Sequence, residues 1–84
     1  MDNSSIIMAV IIDKRNNAAP TVQEVLTRHG CLISTRIGLH QVRECSDNGL
    51  ILLHLIGNET DIQRFEKELE GIDGVRVKMM NIDL

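Results

Sequence analysis

The sequence predicts an α+β, ferredoxin-like domain of order βαββαβ, a four-stranded antiparallel sheet with two helices on one face. Three observations carry this. Two runs, Ile6 to Ile12 and Leu50 to Ile56, are apolar at both odd and even positions, as strands covered on both faces are. Two other stretches alternate apolar with polar residues, as half-wetted edge strands do. Two stripes have helical spacing: Val22, Val25, Leu26 and His29, and Ile62, Phe65, Leu69 and Ile72.

Taken in order, Ser5 to Asp13 is β-branched, of strand length, and reads as the first strand. Lys14 to Asn17 is a polar connector, and Asn17 is the expected N-cap of the first helix, with Pro20 in its first turn, where a missing N–H is tolerated. A start at Thr21, with Glu24 completing a capping box, is the alternative. Gly30 is the expected left-handed stop. From Leu32 to Val42 the chain alternates, so Ile33, Thr35, Ile37 and Leu39 are expected on one face and Ser34, Arg36, Gly38 and His40 on the other. Arg43 to Gly49 reads as a turn, with Asp47-Asn48-Gly49 its strongest signal. Leu50 to Ile56 is the third strand, ended by Gly57. Asn58 or Thr60 can cap the second helix, and Glu59 and Asp61 suit its positive end. Gly71 and Gly74 end that helix, and Val75, Val77 and Met79 alternate with Arg76, Lys78 and Met80 in a closing strand.

Two interleaved right-handed crossovers in this order put the first and third strands at the centre and the second and fourth at the edges. The doubly apolar runs are the first and third, which agrees. Two helices cover only one face, so alternate positions of the central strands would be wet in a monomer. A patch of that kind marks an interaction surface. The economical cover is a second copy of the chain, giving a homo-oligomer, a dimer or tetramer, with sites at subunit boundaries.

The 84 residues suit one domain, residues 1–84, with no linker or low-complexity tract. Of these, 43% are apolar, yet Phe occurs once and Trp and Tyr never, so the core must be aliphatic, with Phe65 as its one aromatic. A base-stacking platform needs several aromatics. The net charge of −3 and the scattered Lys and Arg give no basic footprint, and direct nucleic-acid binding is not expected. The longest apolar run is far too short to cross a bilayer, and the N-terminus does not read as a signal peptide. Two cysteines, Cys31 and Cys45, make no disulfide scaffold. A cytoplasmic, reduced protein without membrane contact is the expectation.

The stretch Arg36-Ile37-Gly38-Leu39, with Arg43-Glu44 and Asn48-Gly49-Leu50-Ile51-Leu52-Leu53, resembles the second and third strands of the iron-only hydrogenase system regulator family. Gly71-Ile72-Asp73-Gly74-Val75-Arg76-Val77-Lys78 resembles that family's closing stretch. The resemblance spans nearly the whole chain. It implies an ACT-like domain, similar to the C-terminal metal-sensing domain of the nickel-responsive regulators, working as an oligomeric regulator. Amino-acid-binding ACT domains carry a glycine between first strand and first helix. This chain has Asp13-Lys14-Arg15-Asn16-Asn17-Ala18 there. The nickel regulators carry an N-terminal DNA-binding arm. Here the first strand begins within a few residues of Met1, so regulation is expected to act through a partner.

His40, Cys45 and His54 are the candidate metal ligands, since imidazole and thiolate suit Ni, Zn, Cu or Fe. The nickel regulators place His ligands late in the second strand with a Cys shortly after; here the spacing is one residue shorter and Gly38 stands where one His would be. The other reading makes His54 a hydrogen-bonded interface histidine, Cys45 an inert turn thiol and His40 an exposed side chain. Arg36, Arg76 and Lys78 are expected to point away from the helices, either to bind an anionic effector between subunits or to guard the sheet edges. Gly38 interrupts a regular strand, as at a bulge or close approach. His29 completes the first helical stripe, Cys31 is expected to pack as a small apolar residue, and Glu66, Glu68 and Glu70 are expected on a solvated helix face. No nucleophile set, phosphate loop, dinucleotide motif or zinc-hydrolase helix is found. The expected function is therefore a non-catalytic regulatory or sensing domain that binds a small effector or a protein partner. A metal sensor and a purely structural assembly module are the alternatives.

Overall fold

The computed structural model describes residues 3–13, 17–39 and 48–82. The elements follow the predicted order: β1 (Ser4–Asp13), α1 (Ala19–Arg28), a 3-10 turn (Gly30–Leu32), β2 (Ile33–Leu39), β3 (Asn48–Gly57), α2 (Glu59–Glu70) and β4 (Val75–Asn81). The sheet order is β2-β3-β1-β4 and every neighbouring pair is antiparallel. The doubly apolar strands are central, as expected. This is the ferredoxin-like fold, with both helices packed on one face.

The even positions of β1 (Ile6, Met8, Val10, Ile12) and the odd positions of β3 (Ile51, Leu53, Leu55) point to the helices and are buried. Val75 and Val77 of β4 join them. From above come Val22, Val25 and Leu26 of α1 and Ile62, Phe65 and Leu69 of α2. Each such side chain contributes about 1.5–3 kcal/mol by leaving water. Phe65 is fully buried, and its ring lies 5.0 Å from that of His29.

Several local expectations change. Asn17 is not the N-cap of α1: Ala18 holds that place, and Asn17 takes a positive φ of 52° in the connector. Asn tolerates the left-handed region better than most residues. Pro20 does lie in the first turn. Gly30 is not left-handed either; it opens the 3-10 turn, and the glycine with positive φ is Gly74, at 84°, just before β4. Asn58 caps α2 as expected, its Oδ1 accepting from the Asp61 N–H at 2.8 Å.

The largest correction concerns β2. Ile33 pairs with Leu55, but Thr35 pairs with His54, so Ser34 is an extra residue, a β-bulge. Ile33 therefore lies on the helix side and packs against the core, whereas Thr35 and Ile37 fall on the opposite face. The expected single face for Ile33, Thr35 and Ile37 is split by that one residue.

The core predicts its own weak point. Phe65→Ala should lower the unfolding free energy by about 3–5 kcal/mol. A domain of this size has little to spare. Chemical denaturation followed by circular dichroism should show a much lower midpoint or an unfolded chain.

Candidate functional site: the open face of the sheet

The face without helices is a grid set by strand register. One row runs Met80, Ile7, His54, Thr35 across β4, β1, β3 and β2. The next runs Lys78, Ala9, Leu52, Ile37, and beyond it Arg76 flanks Ile11, which flanks Leu50. Ile56 lies at the opposite end, beside Ser5. Ile37 (49%), Ile56 (44%) and Met80 (60%) are exposed. Ile7, Ala9, Ile11, Leu50 and Leu52 are half-buried by their neighbours alone. The helix side of the central strands β1 and β3 is almost completely dry, whereas Met79 of β4 stays 38% exposed there.

A groove of about 430 Å³ crosses this face, lined by Ile7, Thr35, Ile37, Leu52, Leu53, His54 and Ile82. Its walls are almost wholly apolar. Thr35 and His54 are its polar side chains, and His54 Nε2 lies 2.8 Å from Ser5 Oγ. The pair joins the two central strands diagonally, from the Ser5–Ile56 rung to the Ile7–His54 rung. A hydroxyl beside an imidazole is the pairing of a nucleophile with its base, but among the described residues no carboxylate hydrogen-bonds the His54 ring. The groove can hold an apolar body and fix it with one or two hydrogen bonds.

The sequence-predicted residues divide. Arg76 and Lys78 lie on the open face, as expected. Arg36 does not. The bulge turns it to the helix side, where its guanidinium Nη2 donates to Gln23 Oε1 of α1 at 2.7 Å. Gly38 is neither a bulge nor a close approach: a Cβ built there would meet nothing within 4 Å. His54 lies in the groove. His40 and Cys45 lie outside the described residues. Among the described residues no three His, Cys, Asp or Glu side chains form a group able to hold a metal. A metal at His54 would have to use Nδ1 or displace Ser5 from Nε2. Ser5 and Thr35 are site residues that the sequence reading did not single out. Their signal is register, which needs the bulge to be known.

A second cluster joins the helices. His29 donates from Nε2 to Glu68 Oε2 at 2.8 Å, because an ionised carboxylate can only accept. Arg28 Nη1 stands 3.5 Å from the same oxygen. Glu68 is thus not simply a solvated acid. The His29 hydrogen bond holds its carboxyl below the ordinary value, against some loss of hydration, and attraction from His29, Arg28 and Arg64 adds to the lowering. Cys31, expected to pack, is exposed at the end of α1.

No family model and no curated protein matches this chain. Solved structures do. An uncharacterized protein of Thermotoga maritima, TM1266, is similar at 28% identity and a TM-score of 0.87, over 98% of this chain and 100% of that one. The C-terminal domain of the MgtC protein of Mycobacterium tuberculosis is similar at 15% identity and a TM-score of 0.69, over 94% of this chain and 87% of that one. The apo form of CPII from Thiomonas intermedia K12, a nitrogen regulatory PII-like protein, is similar at 12% identity and a TM-score of 0.51, over 99% and 92%. These likenesses establish the fold. Among the described residues no helix is long and apolar enough to cross a membrane.

The lowered Glu68 carboxyl fixes the sign of a pH effect. A group whose folded pKa is depressed stabilises the fold above its unfolded value, and that stabilisation is lost as pH falls through the folded value. The thermal midpoint should therefore fall as pH drops through and below the usual carboxylate range. Glu68→Gln should flatten that part of the curve, which melting curves across the acid range would read.

Proposed function

We propose that this chain is a small, non-catalytic regulatory or sensing module that works in the cytoplasm as a homo-oligomer, with the open sheet face as its self-association surface. The observation that carries the reading is the row of exposed and half-exposed Ile, Leu and Met side chains on that face. A contiguous patch of this kind on a soluble chain marks an interaction site. A second copy is the economical cover, because one patch meeting itself about a two-fold axis closes the assembly.

Size supports it. Four strands about 4.8 Å apart, rising about 3.3 Å per residue, give a face of roughly 500–600 Å² in plan. Side-chain relief raises this toward the roughly 800 Å² per partner of a standard interface. The groove beside Ile37 and His54 crosses the face. A second copy closing over it would enclose a space within the roughly 300–1,000 Å³ range of small-molecule sites, at a subunit boundary. That supports an effector-binding role.

The motif resemblance to iron-only hydrogenase system regulators supports the regulatory half of the proposal and makes that system the first place to seek a protein partner. The fold is also used by a protein described as nitrogen regulatory. A shared fold assigns no function by itself, so the weight stays on the face.

The test separates the two sides of one strand. Leu52 lies on the open face and Leu53 in the core. Leu52→Lys should leave the far-ultraviolet spectrum and cooperative melting intact while weakening self-association by about a hundredfold or more, since a buried unpaired charge costs several kcal/mol. Leu53→Lys should unfold the chain. Sedimentation velocity over a concentration series reads the difference. A wild-type chain that stays monomeric at the highest concentrations, or a Leu52→Lys chain that assembles equally well, would overturn the proposal.

A further inference from the structure

Arg76 and Lys78 are the charged side chains of β4 on the open face, and neither makes a hydrogen bond or ion pair with a described residue. They stand two positions apart on one strand, roughly 7 Å from Cα to Cα. Lys78 heads the row Ala9, Leu52, Ile37, and Arg76 flanks Ile11. Two like charges so placed repel one another. Among the described residues the acids are elsewhere, and Asp73, in the turn before β4, already has a partner. Glu24, Glu59, Asp61, Glu66, Glu68 and Glu70 all belong to the helices, which cover the opposite face. Asp13, at the end of β1, is the one described acid among the strand positions of this face, and it already has a partner.

This matters for self-association, on which the inference rests. Stacking two open faces cannot bury Arg76 and Lys78 without a counter-charge, because a desolvated unpaired cation costs several kcal/mol. Their place on an edge strand puts them at the rim. A two-fold axis then lays β4 over either β4 or β2 of the second copy. In the first case four cations gather at one notch. In the second they meet the open-face positions of β2, which include Thr35 and Ile37 and, among the described residues, no acid. Among the described residues of β4 and β2, neither arrangement lays a carboxylate against Arg76 and Lys78.

We infer that Arg76 and Lys78 form an anion site at the subunit boundary, and that its ligand is a small polyanion carrying two acidic groups, of the diphosphate class. The guanidinium fork takes two oxygens of one group, and the lysine ammonium takes the other as a compact charge. The apolar row beside Lys78 leaves room for an organic body attached to the anion. Because the ligand neutralises charge that opposes stacking, it binds the assembled form better than the monomer and tightens assembly by mass action.

The probe is inorganic pyrophosphate, compared with chloride at equal ionic strength. Sedimentation equilibrium should show the wild-type self-association constant tightened by about tenfold at saturating pyrophosphate. The double variant Arg76→Gln, Lys78→Gln should assemble at least as well as the wild type in chloride and should not respond to pyrophosphate. Chloride and pyrophosphate acting alike on the wild type, or an undiminished response in the variant, would overturn the site. Calorimetric titration keeps the two proposals separable. A chain that is monomeric throughout yet binds pyrophosphate only with Arg76 and Lys78 in place keeps the anion site and sinks the self-association reading. A monomer that shows no binding sinks both.

Discussion

The two central strands of this sheet carry aliphatic side chains on both faces, while two helices can shield only one. On the shielded side Met8, Val10, Leu53 and Leu55 interlock with Val22, Leu26, Phe65 and Leu69, and all of them are buried. On the other side Ile7, Ala9, Ile11, Leu50 and Leu52 have the same chemistry and no second layer. Strands with this double pattern are normally found inside a protein. In the proposed assembly this two-layer chain is half of a four-layer structure. The groove, the exposed rim and the case for a second copy all follow from that one deficit.

Most of the described acids lie on the covered side. The carboxylates of the helices face solvent on the covered side, where Glu68 also ties α2 to α1 through His29 and Arg28. His29 does two jobs there: its ring packs on Phe65 while its Nε2 reaches the carboxylate. The clasp is exposed enough that its energetic weight is small. It links the end of α1 to α2. The open face, left with Arg76 and Lys78, is cationic at one edge and apolar in the middle. Four of the six described Lys and Arg side chains (Arg28, Arg36, Arg64 and Lys67) also lie on the helix side, so the cationic edge of the open face rests on Arg76 and Lys78.

Much of this was legible in the sequence. The double apolar runs gave the strand order, the stripes at Val22 and Ile62 gave both helices, and the alternation at Val75 put Arg76 and Lys78 on the outer face. These features are periodic over many residues, and periodicity survives local irregularity. Single-residue geometry was less legible. Residue type suggests caps at Asn17 and Gly30, but the connector has its positive φ at Asn17, and the chain leaves α1 through a 3-10 turn instead of a left-handed glycine. Average behaviour suggests that Cys31 packs, yet that turn leaves it exposed. Glu68 looked like its neighbours Glu66 and Glu70 because nothing in α2 alone reveals that α1 ends beside it with a histidine.

The bulge at Ser34 shows why site residues are harder to read than folds. Strand alternation has period two, so one inserted residue exchanges the two faces for everything beyond it. Without the bulge, Ile33 and Ile37 would share a face, and Arg36 would join Arg76 and Lys78 opposite them. With it, Ile33 seals the core, Arg36 is drawn to Gln23 on the helix side, and Thr35 and Ile37 become a wall of the groove. The strand still reads as a strand in either register, so the fold is indifferent to the change. The binding face is not. Its groove exists because β2 keeps one face toward the core at Ile33 and gives the other to the open side two residues later. A bulge that re-aims side chains beside a groove is the usual place for such an irregularity in a functional sheet.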